Sequence, residues 1–193
     1  GLALLSQDRL SHFRSDESLF AHEVGVVSDY SEGLCMLGKV LERRGQHEEA
    51  EQHYRACLQE RPGRVSLVTR RAAVGNLSYS LLNHAAFGEV IEVIDQAMHH
   101  GWIDSSDADI LYNGAIAHLY RGDYEHAHKL FGDTCAVIDS AECEAFHAVA
   151  AAQIGLCREA RRHMSGRAKK VVTRVIADAP VFSEAVEQCV DAR

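Results

Sequence analysis

The stretch from Ser31 to Arg64, SEGLCMLGKVLERRGQHEEAEQHYRACLQERPGR, constrains the fold of this chain more than any other part of it. Leu34, Leu37, Gly38 and Leu41 recur at the spacing that places side chains on one face of an α-helix. Ala50, Tyr54, Cys57 and Leu58 do the same further on. Gly45 between them supplies a tight turn. Pro62 stops the second helix, because its ring removes the backbone N–H and blocks continuation. The spacing therefore predicts a helix hairpin with an apolar face on each helix. One such hairpin cannot bury that face alone, so neighbouring hairpins must stack against it.

The same stretch resembles the tetratricopeptide repeat. The likeness rests on Gly38, the turn Gly45, Ala50, Tyr54 and Pro62. It departs at Leu34 and Leu41, where the family prefers aromatic residues. The resemblance implies an all-α fold: a right-handed superhelical stack of antiparallel helix pairs.

The rest of the chain repeats the pattern with insertions. Residues 1–30 read as an N-terminal helix pair or cap, with start signals at Ser15-Asp16-Glu17 and Ser28-Asp29. Residues 31–64 are the first repeat. Residues 65–104 are the second, with a long first helix over Val65 to His84 and Ala85 in place of the turn glycine. Gly101 closes that unit, and Ser105-Ser106-Asp107 opens the next helix. The third repeat is 108–141, turning at Gly122-Asp123-Tyr124; a degenerate fourth is 142–167. Residues 168–193 are capping helices, interrupted at Pro180, with Phe182, Ala185, Val186 and Cys189 on one face.

Two columns recur through this register. Gly38, Ser78, Ala115 and Ala148 form a small-residue column on the first helices. Ala50, Val90, Ala127 and Ala160 form a matching column on the second helices, at steps of 40, 37 and 33 residues. Small residues at both positions let helix backbones approach closely. A longer side chain there would overpack the crossing by roughly 1–3 kcal/mol.

Composition narrows the function. With 28 acidic and 20 basic residues the formal charge is −8, which disfavours nucleic acid as a partner. Arg43-Arg44 and Arg70-Arg71 read as solvated helix surface, and Arg161-Arg162 with Lys169-Lys170 make the C-terminal region locally basic. No run of apolar residues is long enough for a membrane span. The six cysteines, at 35, 57, 135, 143, 157 and 189, form no CxxC pair, and Cys35 and Cys57 fall on helix faces suited to small or apolar residues. Reduced thiols in a cytoplasmic setting are the expectation. No signal-peptide pattern is visible. The chain starts with Gly and reads as a processed or excised piece, so that observation bears little on location.

No catalytic, cofactor or metal constellation emerges, and a non-enzyme without cofactor is expected. His47-Glu48 is followed by His53, six residues after His47, whereas a zinc-binding HExxH helix needs its histidines one turn apart. His126 and His128 fall on different faces of their helix, and His99-His100 ends a helix where a cation is favoured. There is no GxGxxG, GxxxxGK[ST] or GxSxG.

Surface remains. By the resemblance, the first helices line a concave face that holds a peptide or partner protein. Asn76 and Asn113 share one column there, with Met36 and Phe146 in the other repeats. An asparagine can both donate to and accept from a peptide backbone; alternatively the pair bonds only to neighbouring helices. Tyr79, Asn83 and Tyr120 line the same groove, with Lys39 and Arg43 at its first-repeat end. A clamp for a C-terminal carboxylate, known in some family members, is not expected. Asn76 fits it, but Cys35 and Asp109 occupy two basic positions and Asn113 replaces an arginine. The leading reading is a protein-interaction module, with possible self-association through array ends. Rival readings are a bacterial secretion or assembly chaperone of the same fold, and a regulatory or sensor region of a longer enzyme or receptor.

Overall fold

The computed structural model of the chain describes residues 31–59 and 63–191. The helix pair expected over 1–30 and the stop at Pro62 lie outside the described residues. Among the described residues the chain is all-α, with ten helices, one 3-10 turn and no strand. The helices are α1 (Ser31–Arg43), α2 (His47–Gln59), α3 (Leu67–Asn83), α4 (Phe87–His99) and α5 (Ala108–Tyr120). They continue as α6 (Tyr124–Cys135), α7 (Ala141–Gln153), α8 (Cys157–His163), α9 (Ala168–Asp178) and α10 (Ser183–Asp191). The 3-10 turn, Pro180–Phe182, precedes α10.

Four hairpin turns share one backbone solution. Gly45, Ala85, Gly122 and Gly155 take positive φ of 78°, 55°, 82° and 76°. Each donates its N–H to the carbonyl three residues back: Glu42, Leu82, Leu119 and Ala152. The next residue, Gln46, Ala86, Asp123 or Leu156, reaches one carbonyl further, to Leu41, Leu81, His118 or Ala151. These bonds satisfy carbonyls that the helix end would leave without a donor. Glycine enters this conformation at no steric cost; Ala85 does so against it.

The register set by these turns positions the packing columns. Gly38, Ser78, Ala115 and Ala148 are all buried, as are Ala50, Val90, Ala127 and Ala160.

The chain divides into two compact units. In the first, residues 31–80 and 99–102, α1 and α2 pack around Tyr54. The Tyr54 hydroxyl donates to Glu42 Oε2 at 2.7 Å and accepts from Asn76 Nδ2 at 3.0 Å. Burial, then the Glu42 carboxylate, raises the Tyr54 phenol well above its ordinary range, so it stays protonated. Ser80 Oγ on α3 donates to Glu51 Oε1 on α2 at 2.7 Å. Glu32 on α1 accepts the Ser66 N–H at 2.8 Å just before α3 begins. Arg70 corrects the expectation of solvated surface. It is buried, donates to the Leu58 carbonyl at 3.0 Å, and lies over the Trp102 ring at 4.8 Å.

In the second unit, residues 81–98 and 103–191, α5, α6, α7 and α8 pack in succession, and α9 and α10 pack on α7. Its core joins Leu119, Phe131, Phe146, Val149, Val172, Val175 and Phe182. Gly114 on α5 meets Ile94 on α4, where a methyl group at 114 would stand 3.2 Å from Ile94 Cδ1. Ser140 caps α7 by accepting the Cys143 N–H at 3.0 Å. Asp107 precedes α5 without a side-chain cap; it accepts the Asp104 N–H instead, at 2.9 Å.

The expectation of reduced thiols is corrected. All six cysteines are paired: Cys35–Cys57, Cys135–Cys143 and Cys157–Cys189. The pairs join α1 to α2, α6 to α7 and α8 to α10, with Cα separations of 5.5, 5.6 and 4.6 Å. Helix packing, not sequence spacing, creates these distances, so no CxxC signature announced them.

Candidate functional site

Counting back from each turn residue aligns the exposed side of the first helices in three columns. They are Met36, Asn76, Asn113 and Phe146; Lys39, Tyr79, Ile116 and Val149; and Arg43, Asn83, Tyr120 and Gln153. In the first unit these positions are open. Met36 is 37% and Tyr79 57% exposed, and Lys39 and Arg43 are exposed on α1. Asn76 is half-buried, with its amide nitrogen committed to Tyr54 inside the unit.

In the second unit the columns are progressively covered by the chain itself. Asn83 is exposed and Asn113 half-buried. Tyr120 stacks on Phe87 with ring centroids 5.0 Å apart, and meets Phe182 edge-on at 5.4 Å. Gln153 Nε2 donates to the Phe182 carbonyl at 3.3 Å. Phe146 is 9% exposed and Val149 fully buried. The turn Pro180–Phe182 thus rests on Tyr120 and Gln153, two neighbours in one column. Sequence reading placed Phe182 on an apolar face but had no means of seeing which face it would cover.

A second group of side chains meets in the second unit. His128 on α6, His147 on α7 and Glu159 on α8 bring their ligand-capable atoms within 4.8 Å of one another. His128 Nε2 lies 3.2 Å and His147 Nε2 3.7 Å from Glu159 Oε1. The His147 side chain is 6% exposed, and among the described residues neither ring nitrogen makes a hydrogen bond. Its ring neighbours those of His128 and His163, with centroids 4.9 and 4.3 Å away. His163 Nδ1 is held by Glu144 Oε2 at 3.1 Å. Burial, helped by the two neighbouring histidines, pushes His147 down to about 4, so its ring is neutral at pH 7. Linear spacing hid this group, because each member comes from a different helix. The available signal was the repeat register, which makes α6, α7 and α8 successive packed neighbours.

Successive helix hairpins with small buried residues in register define an all-α helical-repeat fold. The family model for the tetratricopeptide repeat matches residues 31–64, so that segment is similar to a tetratricopeptide repeat. No curated protein matches the chain.

Proposed function

We propose that the chain is a non-catalytic interaction module that holds an extended segment of a partner protein against its first helices. The observation that carries this reading is the exposure of Met36, Lys39 and Arg43 on α1 and of Tyr79 on α3. Large apolar side chains left in water together with positive charge suit a segment that offers an apolar side chain and an acidic group. Asn83, Asn113 and Tyr120, side chains of the corresponding columns in the second unit, are partner contacts of that unit in this reading. The role of Asn76 is to fix Tyr54 rather than to meet the partner directly, given where its amide nitrogen points.

The test is affinity capture from the native source followed by direct binding of the captured partner. Tyr79→Ala with Lys39→Glu is expected to weaken that binding at least tenfold while the circular dichroism spectrum stays unchanged. A partner held with full affinity by this variant would overturn the reading. The three helix-to-helix disulfides favour an oxidising setting for this encounter over the cytoplasm expected from sequence.

A further inference from the structure

We propose that His128, His147 and Glu159 bind a divalent transition-metal ion of the Zn2+ class, with one ligand from each of three successive helices. A buried polar side chain without a hydrogen-bond partner calls for a reason, since leaving one unmade costs about 1–3 kcal/mol. His147 is such a side chain: it is almost wholly enclosed, and neither nitrogen is bonded among the described residues. Its neighbour His128 likewise buries Nε2 without a hydrogen bond. Both imidazoles instead turn Nε2 toward the one carboxylate oxygen of Glu159, at 3.2 and 3.7 Å. A metal ion accepts the lone pairs of both.

The distances suit the ion. A tetrahedral Zn2+ site with bonds of about 2.0–2.1 Å sets its ligand atoms roughly 3.3 Å apart. His128 Nε2 and Glu159 Oε1 stand 3.2 Å apart, and His147 Nε2 is 3.7 Å from the same oxygen. The three ligand atoms lie within 4.8 Å of one another, and a small approach of the two imidazoles closes the set. Two imidazoles and one carboxylate select a borderline ion over Ca2+ or Mg2+, which prefer oxygen. Three protein ligands leave a fourth position for water or a side chain of a partner. His163, held by Glu144, packs against the His147 ring with centroids 4.3 Å apart. Gly132 on α6 lies against the same ring: a methyl group there would stand 3.8 Å from His147 Cε1 and 3.9 Å from Nε2.

A second histidine pair in the same unit serves as a control. His118 and His126 both bond Asp123 through Nδ1, at 3.0 and 3.1 Å, so one nitrogen of each ring is engaged. The experiment uses the full chain without an affinity tag, stripped with chelator, and titrates Zn2+ by calorimetry and Co2+ by visible absorption. The expected result is one Zn2+ per chain and a Co2+ spectrum of a tetrahedral nitrogen–oxygen site. Glu159→Gln and His128→Ala change partly exposed positions and should fold, as circular dichroism will verify. Each is expected to weaken binding by about a hundredfold or abolish it. His126→Ala is expected to leave binding unchanged. Wild-type affinity weaker than about 100 μM overturns the site, as does Glu159→Gln binding as tightly as wild type. Loss of binding in His126→Ala overturns it in favour of the exposed pair. If His128→Ala fails to fold, the Glu159→Gln result alone decides.

Discussion

Tyr54 occupies the space that any side chain at Gly38 would need. A methyl group at 38 would stand 2.8 Å from Tyr54 Cε1 and 3.1 Å from the Ala50 carbonyl oxygen. The ring cannot retreat, because its hydroxyl is tied to Glu42 and Asn76 and the side chain is fully buried. One glycine on α1 therefore sets how closely α2 approaches.

Gly38→Ala tests this relationship. Alanine improves intrinsic helix propensity by about 1 kcal/mol, but overpacking costs about 1–3 kcal/mol. We expect a net loss of roughly 1 kcal/mol, read as a lower urea midpoint. A variant as stable as wild type would show that Tyr54 moves aside freely.

Ala85 offers the opposite sign. It holds φ of 55° at the turn where the other repeats have glycine. Relief of left-handed strain is worth about 1–2 kcal/mol, and the added freedom of the unfolded glycine removes about 0.4–1 kcal/mol of that. Ala85→Gly is expected to raise stability by roughly 0.5–1 kcal/mol, measured by thermal or urea unfolding, with no change in helix content.

The disulfides make a chemical prediction. Peptide mapping without reductant should recover Cys35–Cys57, Cys135–Cys143 and Cys157–Cys189, and alkylation should label cysteine only after reduction. Cys157 and Cys189 are 32 residues apart, so removing their cross-link should cost roughly 3–4 kcal/mol by loop-closure entropy. Cys157→Ala with Cys189→Ala is the variant to melt against wild type. Quantitative labelling of unreduced, folded protein would contradict the pairing.

Glu32 predicts part of the acid response. The Ser66 N–H, then the Ser66 hydroxyl and least the Thr69 hydroxyl, hold its carboxyl below the ordinary carboxylate range against the opposing effect of burial. A folded value below the unfolded value of about 4.3 means that this stabilisation is present above that pH. It is lost as pH falls through the folded value. Wild type should therefore lose more thermal stability than Glu32→Gln between about pH 6 and pH 3. Parallel curves for the two proteins would refute the assignment.

Much of the fold was legible before any coordinates. The period of Leu34, Leu37 and Leu41 and the position of Gly45 are local signals, and a helix and its turn are local structures. The small-residue columns followed from the turn register alone, down to Ala85 standing where glycine is expected. Arg70 was misread because its charge implied water. Its burial depends on Trp102, which lies far along the chain, and on the Leu58 carbonyl.

Local periodicity, then, determined which residues are helical, where each hairpin turns, and which small side chains sit at helix crossings. Only tertiary structure decided which side chains from different helices meet. It paired six cysteines that share no motif. It laid Phe182 on Tyr120, and it brought His147 against His128 and His163. The physical reason is that sequence spacing reports neighbours along one helix, whereas disulfides, covered grooves and ligand sets depend on distances between helices. Those distances are set by packing of the whole unit.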